Sequence, residues 1–212
     1  SLVIFNAIHY RRKGPKLSDE LISKIKSQIN AEIAMTEFPR HATQLAAEAK
    51  DYDLLISIGG DGTIFEIVNG MDVMNQQLGV IPYGTGNGFA WHLGIENLDH
   101  AVTKIKERKI KQLDLLKVIF KSNEGEFTRH VITTSSFGYV TEVVDLANKY
   151  LKPLGSVCYT LASIIQIGKQ RKFKVHLSLD NKHGQEIEVT TLLVNNTKYS
   201  GNFCVFPEAN MQ

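Results

Sequence analysis

Two glycine-rich turns, each placed where an apolar run stops and a helical pattern begins, constrain this chain more than any other feature. Gly59-Gly60-Asp61-Gly62-Thr63 follows Leu54-Leu55-Ile56-Ser57-Ile58, and Gly84-Thr85-Gly86-Asn87 follows Leu78-Gly79-Val80-Ile81-Pro82. Short apolar runs bounded by glycine read as buried strands, and strands that turn straight into helices build a parallel sheet covered on both faces. At the carboxyl edge of such a sheet, helix N-termini present unpaired N–H groups and partial positive charge, so phosphates bind there. Glycine lets backbone approach a phosphate closely. Asp61 breaks that pattern, because an anion repels phosphate oxygens unless a cation lies between. A Mg²⁺ ion shared by carboxylate and phosphates removes the conflict. The pair of turns therefore reads as a Mg²⁺-nucleotide site. The plain alternative for either turn alone is a tight connection. No Gly-Lys-Ser/Thr follows the glycines and no G-x-G-x-x-G spacing occurs, which excludes a Walker A loop and a dinucleotide fingerprint.

The rest of the chain extends the pattern. A strand at Leu2–Phe5 leads into a polar, basic loop over 6–16. A helix from Ser18 carries Leu21, Ile22, Ile25, Ile29 and Ile33 at helical spacing. A strand over 33–38, helices over 41–50, 64–70 and 98–108, and a helix running from the second turn to Leu93 complete the alternation. From Gln112 onward hairpins are predicted over 112–121 with 126–134 and over 172–180 with 186–196, separated by helical stretches over 139–151 and 156–168. The expectation is an α/β domain over 1–114 followed by a mainly antiparallel domain over 115–212, with the ligand cleft at their junction.

Composition narrows the class. A net charge of +2 over 212 residues gives no argument for a nucleic-acid partner. The basic clusters Arg11-Arg12-Lys13 with Lys16, and Lys169, Arg171, Lys172 and Lys174, read either as solvated surface or as attraction to phosphates or an anionic membrane. Cys158 and Cys204, far apart in apolar contexts, read as reduced core thiols of a cytoplasmic protein. No apolar stretch reaches the roughly 20 residues a spanning helix needs, and the N-terminus opens on a strand with no visible signal peptide. Membrane contact would be peripheral.

Several of these segments together resemble the diacylglycerol kinase catalytic domain family, which includes sphingosine kinases and bacterial soluble lipid kinases. The stretch from Asp53 through Thr63, with Glu66 and Asn69-Gly70, is similar to its core motif, and Ile81-Pro82-Tyr83-Gly84-Thr85-Gly86-Asn87-Gly88-Phe89-Ala90 to its second. Gly155-Ser156-Val157-Cys158-Tyr159, Asn195-Asn196-Thr197-Lys198-Tyr199-Ser200-Gly201 and Phe206-Pro207-Glu208-Ala209 resemble weaker motifs further on. The resemblance implies an NAD-kinase-like α/β domain that binds ATP with Mg²⁺, then a β-sandwich domain on the lipid side. A lipid hydroxyl, on diacylglycerol or a sphingoid base, would attack the γ-phosphate at a membrane surface. Carried over by position, Gly59, Gly60, Asp61, Gly62, Thr63, Ile64, Phe65 and Glu66 would line ATP, with Gly84, Thr85, Gly86 and Asn87 near its phosphates. Asn6 and Thr36 fall on further ATP-contact positions, and Asp61 and Asp114 on the metal and water network, Asp61 being the catalytic assignment. Asp114 also reads as a strand-end surface residue.

Four departures qualify the resemblance. Ala7-Ile8-His9-Tyr10-Arg11 replaces the family's usual residues after Asn6. Gly88 stands where many diacylglycerol kinases carry Asp, which tilts the substrate toward a sphingoid base, and Trp91 stands where many carry Arg. The chain ends at Met211-Gln212, before the family's Asp-Gly motif and general base, so it is expected to be incomplete there and inactive or poorly folded alone. Two alternatives stay open: a catalytically impaired relative that binds nucleotide or lipid in a regulatory role, and an NAD-kinase-like enzyme. A homodimer is compatible with the surface. His9 and His41 read as polar loop residues, His92 and His130 as structural or exposed, and the apolar helix over 157–167 as core packing or a lipid tunnel wall. No spacing suits a zinc site.

Overall fold

A computed structural model describes residues 1–6, 15–123, 125–155, 157–180, 183–200 and 203–209. The chain forms two compact units, one of 1–133 with 195–212 and the other of 134–194. Strand type changes at a different place from the compact units. Parallel pairing ends with the strand at Gln77–Pro82, and the next strand, starting at Leu116, opens an antiparallel hairpin that stays with the first unit.

In the first unit, β1 (Leu2–Phe5), β2 (Glu32–Met35), β3 (Leu54–Gly59) and β4 (Gln77–Pro82) form one parallel sheet in the order β2-β1-β3-β4. Helices α1 (Pro15–Gln28), α2 (His41–Glu48), α3 (Asp61–Val68), α4 (Gly88–His92) and α5 (Leu98–Lys106) alternate with these strands. The sheet is buried on both faces, and β1 shows how. Val3 and Phe5 pack with Leu21 and Ile25 of α1, while Leu2 and Ile4 pack with Ala42 and Ala46 of α2. Period-two alternation with apolar residues at every position is what a doubly covered parallel strand requires. Because β2 and β3 flank β1, chain direction across the sheet reverses between β1 and β3. In open α/β sheets that switch point opens a crevice beyond the carboxyl ends of the strands.

The hairpin β5 (Leu116–Ser122) and β6 (Gly125–Val131) completes this unit with the short pair β11 (Tyr199–Ser200) and β12 (Phe203–Cys204). Asn69, just past α3, fastens the hairpin. Its Nδ2 donates to the carbonyl of His130 at 2.8 Å, and its Oδ1 accepts the His130 N–H at 2.9 Å. Asn196 Nδ2 donates to the Asp114 carbonyl at 2.7 Å, tying the returning chain to the segment before β5.

The second unit contains β7 (Thr134–Gly138), α6 (Tyr139–Leu146), a π-helical turn (Ala147–Leu151), α7 (Val157–Gln166), β8 (Phe173–Leu177), β9 (Gln185–Val189) and β10 (Thr191–Asn195), the last residue of β10 already belonging to the first unit. β8 and β9 form an antiparallel hairpin, and β10 pairs with β7.

Several elements differ from their predicted form. Ile33 lies in β2 rather than on the α1 stripe, and β2 ends at Met35. Helix α3 starts at Asp61, because the Gly60 carbonyl already accepts the N–H groups of Thr63 and Ile64. The single strand predicted over 186–196 is two: the Thr190 carbonyl accepts the Tyr139 N–H at 2.9 Å, which breaks the run between β9 and β10. Cys158 is buried but Cys204 is exposed, so only the first is a core thiol. In α7 the buried residues are the small Cys158 and Ala162, while Leu161, Ile164 and Ile165 are exposed; of the two readings of this helix, core packing does not hold for its large aliphatic residues.

Candidate active site

The switch point gathers most of the predicted residues. β1 ends at Phe5 and β3 at Gly59, and the residue after β1 is joined to the first turn of the helix after β3: Asn6 Nδ2 donates to Thr63 Oγ1 at 2.8 Å. Backbone pairing continues to the same edge. Asn6 N–H donates to the Ile58 carbonyl at 3.1 Å and the buried Thr36 donates its N–H to the Phe5 carbonyl at 2.9 Å. The segment following Asn6, with Arg11, Arg12 and Lys13, lies outside the described residues.

The two glycine turns meet backbone to backbone. A methyl group on Gly84 would stand 2.5 Å from the Gly60 Cα and 2.9 Å from its nitrogen, and one on Gly60 would stand 3.2 Å from the Gly84 Cα. Glycine at Gly84 is thus required by the partner turn, whatever ligand binds, while Gly60 is held in tight contact with it. Gly62 differs, since a methyl group there would have nothing within 4 Å. The N–H groups of Asp61 and Gly62, in the first turn of α3, have no partner among the described residues. They are free helix N-terminal donors of the kind that take phosphate.

Asp61 links the two turns. Its Oδ2 accepts the Gly88 N–H at 2.9 Å and its Oδ1 accepts the Phe89 N–H at 2.9 Å. A carboxylate from the first turn of α3 therefore caps α4, where an anion interacts favourably with the exposed N–H groups. Each carboxylate oxygen keeps lone-pair capacity beyond one accepted hydrogen bond, so the clasp leaves Asp61 able to ligate a cation. Asn87 closes the second turn on itself. Its backbone is left-handed (φ 56°), its Oδ1 accepts the Gly84 N–H at 2.9 Å, and its Nδ2 donates to the Gly84 carbonyl at 3.1 Å. Trp91 Nε1 donates to the Gly86 carbonyl at 3.1 Å, and Thr85 stands exposed at the tip of the turn.

The remaining predicted residues are distributed as follows. The Ile64 side chain is in the core, and its N–H is already given to Gly60; Phe65 is partly exposed. Glu66 turns toward α2, where its Oε1 accepts the Arg40 N–H at 3.3 Å and its carbonyl accepts Thr43 Oγ1 at 2.9 Å. Asp114 is exposed and shares no hydrogen bond with Asp61 or either glycine turn among the described residues. His41 stacks on Phe38 with ring centroids 4.3 Å apart and accepts the Glu37 N–H at Nδ1, a structural role. His92 accepts the Lys198 N–H at Nδ1, 3.1 Å away. Burial, then the nearby Lys111 and Lys198, holds its pKa below the ordinary imidazole value.

The donor set matches Mg²⁺ bound with a nucleotide better than a protein-only metal centre. No group of three or more His, Cys, Asp or Glu side chains gathers among the described residues. Mg²⁺ is commonly held by one or two carboxylates plus phosphate oxygens and water, which is what Asp61, with or without Asp114, could supply.

The model of the diacylglycerol kinase catalytic domain family matches residues 1–118, over half of the chain. The chain belongs to that family. A diacylglycerol kinase from Bacillus subtilis (strain 168) is 31% identical over 206 residues, covering 90% of this chain and 65% of that protein. Sphingoid long-chain bases kinase 1 of Arabidopsis thaliana is 27% identical over 179 residues, covering 78% of this chain and 23% of its own length. A diacylglycerol kinase crystal structure from Bacillus anthracis superposes with a TM-score of 0.69 at 24% identity, covering 99% of this chain and 69% of that one. The chain thus spans slightly less than two thirds of the Bacillus subtilis relative. The family match runs through both glycine turns, Asp61 and Asp114. Asn69 and Asn196 lie within the resembling motifs, yet their pattern alone assigns neither a role; a polar amide at a helix end before a hairpin is the available signal for Asn69.

Proposed function

We propose that this protein is a lipid kinase that transfers the γ-phosphate of ATP, with Mg²⁺, to a hydroxyl of diacylglycerol or a sphingoid base. The observation that carries this reading is the free N-terminus of α3 at the switch point, bounded by the Asn6–Thr63 bond and by the Asp61 clasp. The relatives named above supply the lipid class.

Phosphoryl transfer depends on positioning and on stabilising charge, so a site built largely of backbone donors is sufficient. The N–H groups of Asp61 and Gly62 would receive phosphate oxygens, with Thr85 at the tip of the facing turn. Asn6 holds the Thr63 hydroxyl, which keeps the β1 and β3 ends in register. Asn87 and Trp91 fix the second turn so that its geometry is set before nucleotide arrives. Bound Mg²⁺ would neutralise charge on the transferring phosphates, with Asp61 and Asp114 as its protein carboxylates. The protein would act in the cytoplasm at a membrane surface; no helix among the described residues is long and apolar enough to cross a membrane.

The test is ATP-dependent phosphate transfer by the full-length protein to a micellar panel of diacylglycerol, a sphingoid base, ceramide and a glycolipid, with NAD as a separate acceptor. Transfer to one lipid supports the proposal and names the substrate. NADP formation, or nucleotide binding with no transfer to any lipid, overturns it.

A further inference from the structure

One group of basic side chains in the first unit converges without a counter-charge. His92 ends α4, Lys111 lies in the segment before β5, and Lys198 lies just before β11. All three belong to the same compact unit. Two hydrogen bonds bring these distant segments together. Asn196 Nδ2 donates to the Asp114 carbonyl at 2.7 Å, and the Lys198 N–H donates to His92 Nδ1 at 3.1 Å. The stretch between those bonds is firmly held: Asn196 and Thr197 are buried, and Thr197 Oγ1 donates to the Tyr199 carbonyl at 2.9 Å. Lys111 and Leu93, the residue after His92, also line the same groove beside β4.

Charge and tautomer identify the ligand class. Lys109, two residues before Lys111, is paired with Glu107 at 2.7 Å. Lys111 and Lys198 have no carboxylate partner among the described residues. His92 lies in the same field: after burial, both lysines push its pKa down, and no carboxylate among the described residues opposes them. Because Nδ1 accepts the Lys198 N–H, the neutral ring carries its proton on Nε2. That Nε2–H has no acceptor among the described residues. One ring N–H and two ammonium groups therefore form a donor set that lacks an acceptor. Like charges held close by the fold destabilise one another, and an anion placed among them relieves the repulsion. Three donors, two of them cationic, suit a doubly charged tetrahedral phosphate, which offers each a separate oxygen.

We propose that His92, Lys111 and Lys198 form a binding site for a phosphate dianion, the group shared by inorganic phosphate and the headgroup of a lipid phosphomonoester. His92 donates to it from Nε2 as a neutral ring, which leaves the Nδ1 bond to the Lys198 N–H in place. The two lysines supply the charge, so affinity weakens as ionic strength rises. The site uses none of the residues assigned to ATP or Mg²⁺. It goes beyond the lipid-kinase reading and does not rest on it.

The experiment follows the Cε1–H resonance of His92 by NMR in the full-length protein, identified as the signal lost in His92→Asn. Inorganic phosphate and dihexanoyl phosphatidate, kept below its micelle concentration, are titrated separately at constant ionic strength, with chloride as the control anion. Phosphate should displace the resonance saturably and chloride should not. Binding should also raise the His92 titration midpoint, because a dianion offsets the lysines. Lys111→Gln and Lys198→Gln should each weaken binding about fivefold, the effect of one unit charge at about 4 Å in water. Without phosphate each variant should raise the His92 midpoint too, since one repelling charge is gone. Both lysines are exposed, so thermal melting should match the parent protein. Tighter binding of the phosphatidate assigns the site to a lipid headgroup, and equal or weaker binding assigns it to free phosphate; either supports the proposal. No saturable displacement by either ligand, an equal response to chloride, or variants that bind like the parent would overturn it; the first case includes a cluster neutralised by another part of the protein. Phosphate transfer to lipid in detergent micelles is read separately. An occupied site without transfer refutes the kinase reading alone, and transfer with an unresponsive His92 refutes the phosphate site alone.

Discussion

Asp61→Asn separates what the carboxylate does for the fold from what it does for a ligand. In the structure both carboxylate oxygens accept backbone N–H groups from the first turn of α4. Asn retains one acceptor and points an NH₂ group at the other N–H, so one charge-assisted bond becomes neutral and the second becomes a donor facing a donor. Charge-assisted bonds contribute about 1.5–3 kcal/mol and neutral ones about 1, and a backbone N–H left unpaired costs about 1–3. Partial exposure of the pair puts the total at the lower end, about 2–3 kcal/mol. For a chain of this size that is a fall in melting temperature of roughly 5–10 °C. The assay is calorimetric melting without nucleotide or metal, with Asp61→Glu run beside it. Glu keeps the charge but moves it by one methylene, so it should melt nearly as low as Asn. If Asp61→Asn melts within about 1 °C of the parent, below the shift expected for even one lost bond, the clasp does not stabilise the fold and Asp61 serves a ligand only.

Three further perturbations test neighbouring parts of the argument. Gly84→Ala should cost at least about 1–3 kcal/mol, read as a drop in urea midpoint, because the new methyl meets the backbone of Gly60 rather than a movable side chain; an unchanged midpoint would mean the turns are not in contact. Asn69→Ala removes three side-chain hydrogen bonds, to the Phe65 carbonyl and to both backbone groups of His130. It should lower stability by about 2–3 kcal/mol, with amide exchange in β6 rising first. His92, with its folded-state pKa depressed, binds its proton more readily when unfolded, so stability should fall as pH drops below about 6.5, levelling off below the folded-state value. His92→Asn keeps an acceptor near the Lys198 N–H and should flatten that part of the pH profile.

The sheet was legible because it is written in short-range terms. A covered parallel strand is apolar at consecutive positions, and Leu2–Phe5 and Leu54–Ile58 carry that signature without needing knowledge of their neighbours. Errors gathered where long-range contacts decide. Ile33 matched the α1 stripe in spacing, but backbone pairing with Val3 claims it for β2. The break between β9 and β10 depends on a hydrogen bond from Tyr139, about fifty residues away in sequence, which no local pattern encodes. In α7 apolar periodicity was visible and its direction was not, since period alone does not say which side faces the core; the small inward pair Cys158 and Ala162 was the available clue. At the site, the glycines and Asp61 were evident as a motif, yet their geometry changes what the motif means. Gly60 and Gly84 serve each other, and Asn87 serves Gly84.

Gly62 therefore becomes the informative glycine. A methyl group there meets nothing within 4 Å, and its backbone has no left-handed strain to relieve, so the fold does not require glycine at this position. In the first turn of α3 an alanine should leave stability unchanged or raise it by up to about 1 kcal/mol, through lower chain entropy in the unfolded state. If phosphate oxygens sit on the N–H groups of Asp61 and Gly62, the same methyl group intrudes on them, and Mg²⁺-ATP affinity should fall at least about tenfold, a loss of about 1.4 kcal/mol. Melting with and without nucleotide reads both quantities on one sample: the apo transition stays or rises while the nucleotide-induced shift shrinks. Opposite signs for fold and ligand cannot come from general damage, because a damaged helix would lower both. Should Gly62→Ala bind Mg²⁺-ATP as tightly as the parent, the free end of α3 is not the phosphate cradle. The glycine-rich core would then owe its composition to the contact between its two turns.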